Sequence, residues 1–239
     1  MITTDIDPDI SARLAPSITT AACPGCGRPA QILAWGSKRW YACSPCADAE
    51  ALRRTEIERR TKALAQWEEV TPDEFRRPLI PSLVHPSIRP ALEGDTSGGT
   101  CLIGATGCGK TRVAYRLLHA AAIRGQSVFA ISHAAFRQAA VSRGDRDPRR
   151  ADEAKTLIQA CRCAKALLID DVGKGAATDV GDEAFFDLLD HRLSHGSLTH
   201  WTANSGSAWL KARFREDRGP AIIRRLRDLT PGRVFVASE

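Results

Sequence analysis

One methionine, two tyrosines and seven lysines stand among 239 residues, and aromatic side chains make up only 6% of the chain. Each scarcity narrows the possibilities. No run approaches the ~18–20 consecutive apolar residues that a membrane helix requires, so no membrane association is expected. The first residues, Met1 to Ile10, carry acids where a secretory leader would carry bases and then an apolar stretch, which points to the cytoplasm. No Asn-Lys-x-Asp guanine-reading tetrapeptide occurs, and no internal repeat or low-complexity tract. With 43% hydrophobic and 26% charged residues, the chain has the balance of an ordinary folded protein, long enough for one α/β domain and a small appendage.

The formal net charge of +6 is unevenly placed. Residues 1–50 and 51–97 are close to neutral, whereas residues 98–239 hold 22 bases and 15 acids. Arginine supplies 27 of the 34 bases, and its planar fork suits phosphate. A basic face for nucleic acid is one reading, and a GC-rich genome explains the same bias.

Cysteine, by contrast, is plentiful and patterned. Cys23-Pro-Gly-Cys26 and Cys43-Ser-Pro-Cys46 are two C-x₂-C knuckles sixteen residues apart. Each knuckle turns two thiolates toward one point, and four thiolates complete a tetrahedral Zn²⁺ site with no open position. The expected zinc is therefore structural, in a module spanning residues 21–50 that follows a tail at 1–20. Trp35 and Trp40 lie between the knuckles, where they either form the module's small core, the favoured reading, or stack on bases. Cys101, Cys161 and Cys163 read as small apolar residues.

Between this module and the C-terminal domain, residues 51–70 read as an amphipathic helix with Leu52, Ile57, Leu64 and Trp67 among mixed charges. Five prolines at 72, 78, 81, 86 and 90 predict an extended linker, so that 51–97 forms a helical and proline-rich connection. From residue 98 to 239, apolar strands alternate with helical stretches at Thr100–Gly104, Ser127–Ser132, Ala166–Asp171, Leu198–Asn204 and Arg233–Ser238. That alternation predicts a five-stranded, mainly parallel sheet in an α/β domain covered on both faces.

The chemistry sits on those strands. Gly104-Ala105-Thr106-Gly107-Cys108-Gly109-Lys110-Thr111 matches G-x-x-x-x-G-K-[ST] without a mismatch, directly after the strand and before a helical run. Glycines let backbone N–H groups wrap the β- and γ-phosphates of ATP or GTP, Lys110 adds a point charge, and Thr111 offers a hydroxyl to Mg²⁺. A second apolar strand ends in Asp170-Asp171; Asp170 is expected to hold Mg²⁺ and Asp171 to orient the attacking water. Asn204, ending the next strand, is the candidate sensor of the γ-phosphate. Arg225 and then Arg224 are candidates for an arginine that completes a neighbouring subunit's site, or else form a solvated helix face. Arg143, Arg146, Arg149 and Arg150 read as a basic loop, suited to a nucleic-acid backbone or simply solvated.

Taken together, the phosphate loop, Leu168-Ile169-Asp170-Asp171-Val172-Gly173, Asp190-His191-Arg192, Thr202-Ala203-Asn204 and Ile223-Arg224-Arg225-Leu226 resemble the AAA+ ATPases of the DnaC helicase-loader type, across about residues 71–239. The resemblance implies an AAA+ P-loop ATPase with self-association through its arginines. It also implies partners: a replicative DnaB-type helicase gripped by the N-terminal region, and single-stranded DNA. Two departures stand out, Ala203 where the family commonly has Ser and Asp171 where other AAA+ proteins often have Glu. The shorter carboxylate suggests a slow, switch-like enzyme. Competing expectations are a transposition helper of the IstB type, a non-hydrolysing ATP-binding adaptor, and a small-molecule P-loop kinase or GTPase.

Overall fold

The computed structural model describes residues 17–35, 38–93, 95–215 and 217–237, without the side chains of residues 17–18 and 32–42. The expected 1–20 tail falls largely outside the described residues, as do the side chains of Trp35 and Trp40. The chain divides into two compact units, residues 1–58 and 59–239.

The first unit is an antiparallel three-stranded sheet in the order β1 (Ser17–Ala22), β2 (Pro29–Trp35), β3 (Lys38–Ala42). Ala22 pairs with Pro29, so the first knuckle occupies the β1–β2 turn, closed by the Cys23 N–H on the Arg28 carbonyl at 2.8 Å. The second knuckle lies where β3 gives way to α1 (Ser44–Val70). Among the side chains described in this unit, Cys23, Ala30 and Cys43 form a buried apolar cluster.

The second unit is a five-stranded parallel sheet in the order β5-β6-β7-β4-β8, with β4 Thr100–Gly104, β5 Val128–Ser132, β6 Ala166–Val172, β7 Leu198–Ala203 and β8 Val234–Ala237. Side chains alternate across it. Leu102 and Leu168 point into one core with α3 (Lys110–Ile123), whereas Cys101, Leu167 and Ile169 point into the other. That second core is covered by α4 (His133–Ser142), α5 (Pro148–Cys163), α6 (Asp179–Ser194), α7 (Ser207–Lys211) and α8 (Gly219–Asp228). Strands buried on both faces explain why β6 reads as an unbroken apolar run. The expected α/β domain with a five-stranded parallel sheet is therefore present.

The proline-rich stretch departs from expectation. Residues 71–92 are not an extended linker but a chain of short turns, with a helical turn α2 at Asp73–Arg76 and 3₁₀ turns at Pro81–Leu83 and Pro86–Leu92. Val84, Ile88 and Ala91 are buried in the core of the second unit, as are Ala63 and Trp67 from the end of α1. Proline ends α-helices, but it also starts 3₁₀ turns, and these carry apolar side chains inward without a helical period. Trp67 donates its indole N–H to the Tyr115 carbonyl at 3.2 Å, tying α1 to α3.

The basic stretch also differs. Residues 143–147 form the loop, but Pro148 opens α5, with the Asp147 side chain accepting from the Arg149 N–H at 3.0 Å. Arg149 and Arg150 are thus exposed helix residues.

Candidate nucleotide site and metal centre

The phosphate loop leaves the C-terminal end of β4 and feeds α3, whose N-terminus has no side-chain cap. Its first N–H groups therefore face the loop, as anion binding requires. Gly109 adopts φ 91°, and a Cβ there would lie 2.6 Å from the Leu83 carbonyl, so only glycine fits. The Lys110 side chain is buried and donates to the Gly104 and Ala105 carbonyls at 2.8 and 2.9 Å.

β7 lies between β4 and β6, which brings three chain segments to one edge. The Thr111 hydroxyl lies 3.1 Å from both carboxylate oxygens of Asp170. Thr202, on β7, donates its hydroxyl to Asp170 Oδ1 at 2.6 Å and accepts the Asp171 N–H at 2.8 Å. Burial, and then the neighbouring Asp171 charge, raise the Asp170 pKa above the ordinary carboxylate range. Asp171 itself has φ 57°, the one positive φ outside glycine among the described residues, where the β6–β7 register shifts between Ile169 and Val172. This left-handed residue interrupts the regular alternation of the strand at the second carboxylate.

Beside these groups is a cavity of about 640 Å³, lined by the loop from Thr106 to Arg112, by Asp171, Lys174 and Asn204, and by Phe75 and the turn from Ser82 to Pro86. The volume lies within the ordinary range for a small-molecule site. Thus the structure gathers Thr106 to Thr111, Asp171 and Asn204 around one space, with Asp170 behind Thr111. Sequence reasoning missed the wall from Phe75 to Arg89, which the prolines disguised, and it missed Lys174 and the role of Thr202. The residues fit a triphosphate with Mg²⁺: Thr111 and Asp170 are poised to share the cation through oxygen, and Lys110 to meet the phosphates.

The two candidate arginines differ. Arg225 is held by its own chain, with Nε 2.9 Å and Nη2 2.8 Å from Asp190 Oδ1 and its guanidinium 4.0 Å from the Phe186 ring centroid. Arg224 is exposed. Arg192, two residues beyond Asp190, is fully buried and donates to Thr199 Oγ1 and to the carbonyls of Cys161, Ala164 and Leu198, where burial lowers its pKa to about 10. It therefore holds the end of α5 to the start of β7.

The four knuckle sulfurs lie within 4.8 Å of one another, with Cys23–Cys46 and Cys26–Cys43 each 3.6 Å apart. Tetrahedral Zn–S bonds of about 2.3 Å imply sulfur separations near this value, so the donor set fits Zn²⁺. The N–H groups of Gly25 and Cys26 lower the Cys23 thiol to about 7, whereas the sulfurs of Cys26 and Cys23 push Cys46 up to about 12. Four thiolates this close cannot ionise together unless a cation joins them.

Residues 94–227, more than half of the chain, match the family of IstB-like ATP binding proteins. The chain belongs to this family. Its likeness to solved structures extends beyond the matched segment. A structure titled DnaI matches with TM-score 0.53 at 21% identity, over 69% of this chain and 94% of that one. A putative primosome component from Streptococcus pyogenes serotype M3 matches with TM-score 0.52 at 20% identity, over 73% and 96%. A DnaC helicase loader matches with TM-score 0.51 at 18% identity, over 63% and 86%. At these identities the likeness establishes the fold. No curated protein matches the chain. No described helix is long and apolar enough to cross a membrane.

Proposed function

We propose that this IstB-like protein is an ATP-dependent loader acting in the cytoplasm, which binds a replicative DnaB-type helicase and single-stranded DNA and places the helicase during replication. The observation that carries the reading is the convergence of Thr111, Asp170 and Thr202 beside a phosphate loop, in a fold shared with a helicase loader. Bound Mg²⁺ would neutralise charge on the transferred phosphoryl group. Lys110 binds the phosphates, Thr111 and Asp170 hold the cation's shell, Asp171 orients the attacking water and Asn204 senses the terminal phosphate. Arg224 or Arg225 completes a neighbour's site on self-association. The Zn²⁺ module grips the partner.

The test measures ATP hydrolysis by wild type and Lys110→Ala, with and without single-stranded DNA, and complex formation with a replicative helicase. Equal hydrolysis by the two proteins removes the catalytic assignment. Survival of the helicase complex after deletion of residues 1–58 removes the module's role as the grip; this cut spares Ala63 and Trp67, which belong to the ATPase core.

The family match favours one second reading, a transposition helper of the IstB type. Capture by a transposase in place of the helicase decides for it.

A further inference from the structure

Lys174 lines the nucleotide cavity together with Asp171 and Asn204, and no part of the phosphate-loop pattern includes it. Its ammonium lies 2.7 Å from Asp171 Oδ2, on a side chain 48% exposed. The turn beneath is pinned. The Lys174 N–H donates to the Asp171 carbonyl at 3.0 Å, the Gly173 N–H lies 3.2 Å from His133 Nδ1, and Arg137 donates to the Gly175 carbonyl at 3.1 Å. His133 and Arg137 are themselves buried, and Arg137 is locked to the buried Asp182 at 2.6 Å. A Cβ on Gly173 would meet the Trp209 ring at 2.8 Å, so the turn cannot slide. Backbone freedom at Lys174 is therefore small, and what remains free is a flexible four-carbon stem ending in a charge that faces the cavity.

We propose that Lys174 reads the terminal phosphate, in a step that rests on the nucleotide-site reading above. Asp171 holds the ammonium beside the end of the loop where the γ-phosphate must lie, if Asp171 is to reach the attacking water. When a triphosphate enters, its dianionic terminal group competes with one carboxylate for the same cation. The phosphate carries more charge and more acceptor oxygens, so the ammonium moves to it or bridges to it. Two consequences follow together: a triphosphate gains a contact that a diphosphate lacks, and Asp171 is released from its ion pair only when a γ-phosphate is present. Lys174 thereby couples recognition of ATP to freeing the carboxylate, and a site without a γ-phosphate keeps Asp171 neutralised. No covalent bond changes in this step; one ion pair exchanges its anion.

The experiment measures equilibrium binding of MgADP and of a magnesium-bound, non-hydrolysable β,γ-analogue of ATP to the full chain as wild type, Lys174→Ala, Lys174→Arg and Lys110→Ala. Thermal unfolding of each variant confirms that it is folded. Lys174→Ala should weaken the triphosphate about tenfold while moving MgADP by less than about twofold, the size expected for one charge-assisted contact. Lys174→Arg should keep most of the preference, because it keeps the cation. Equal weakening of both nucleotides, or no change in either, overturns the role of Lys174 while leaving the nucleotide site intact. Wild type that binds neither nucleotide, or Lys110→Ala that binds both as wild type does, overturns the nucleotide-site reading and this inference with it.

Discussion

The Thr202 hydroxyl donates to Asp170 at 2.6 Å while accepting the Asp171 N–H at 2.8 Å. One β7 side chain thus sets both the orientation of the first carboxylate and the backbone twist that turns the second into the cavity. Replacing it with valine keeps the shape and the β-branch but removes both bonds. Thr202→Val should destabilise the fold by about 1–3 kcal/mol, the usual cost of leaving buried polar groups unpaired. ATP turnover should fall by more than that loss of folded protein explains. Denaturant unfolding and turnover on the same samples separate the two, and unchanged turnover contradicts the positioning role.

Because burial raises the Asp170 pKa, protonation should begin to weaken magnesium-dependent ATP binding above the pH at which an ordinary carboxylate titrates. The sign for stability is opposite. A carboxyl with a raised pKa in the fold costs stability as pH rises through the window from its unfolded to its folded value. Asp170→Asn should therefore leave the nucleotide-free protein at least as stable at neutral pH, and weaken magnesium-dependent ATP binding about tenfold or more. A pH series of calorimetric titrations on both proteins reads this out.

His133 and His200 are buried, and burial lowers each to about 3. Both are neutral in the fold and take up protons only on unfolding. Their contribution is fully present above pH ~6.5 and is lost as pH falls toward 3, at about 1.4 kcal/mol per pH unit for each. His200→Leu should remove one of these slopes between pH 6 and 4.5 on chemical denaturation. A slope unchanged from wild type refutes the assignment.

Arg225 and Arg224 should separate experimentally. Arg225→Ala loses its pair with Asp190 and its packing on Phe186, and should lower stability by about 0.5–1 kcal/mol. Arg224→Ala, at an exposed position, should leave the unfolding midpoint unchanged. If either arginine completes a neighbouring site, its alanine variant mixed with Lys110→Ala protein recovers turnover in hybrid assemblies. Recovery in neither mixture dismisses both candidates.

Metal analysis of the purified chain should find one Zn²⁺ per molecule, and a chelator should release it. Hydrogen exchange across residues 17–35 should then rise steeply, since the ion would join the β1–β2 turn to the start of α1. Exchange across β4, β6 and β7 should not change. Cys43→Ser should reproduce the chelated state.

Much of the candidate site was legible because its parts are local. A phosphate loop needs glycines and a lysine at fixed offsets, and a doubly buried strand needs a continuous apolar run, so residues 104–111 and 166–171 announce themselves. The knuckles are legible for the same reason. By contrast, the Phe75–Pro86 wall was hidden, because 3₁₀ turns bury Val84, Ile88 and Ala91 with no periodicity to detect. Arg192 enters the sequence reading only through the family resemblance, yet it is buried and bonds both to the end of α5 and to the start of the neighbouring strand β7.

By itself the sequence determined which groups could carry charge and phosphate chemistry, and where strands and helices alternate, because these depend on residue type and spacing along one segment. Only tertiary structure decided that β7 lies between the loop strand and the aspartate strand, bringing Thr202 to Asp170. It alone decided that Asp171 turns left-handed toward Lys174, and that Arg225 is held by a carboxylate thirty-five residues away. Such contacts join segments whose proximity arises from burying apolar faces against each other, and burial is a property of the whole fold.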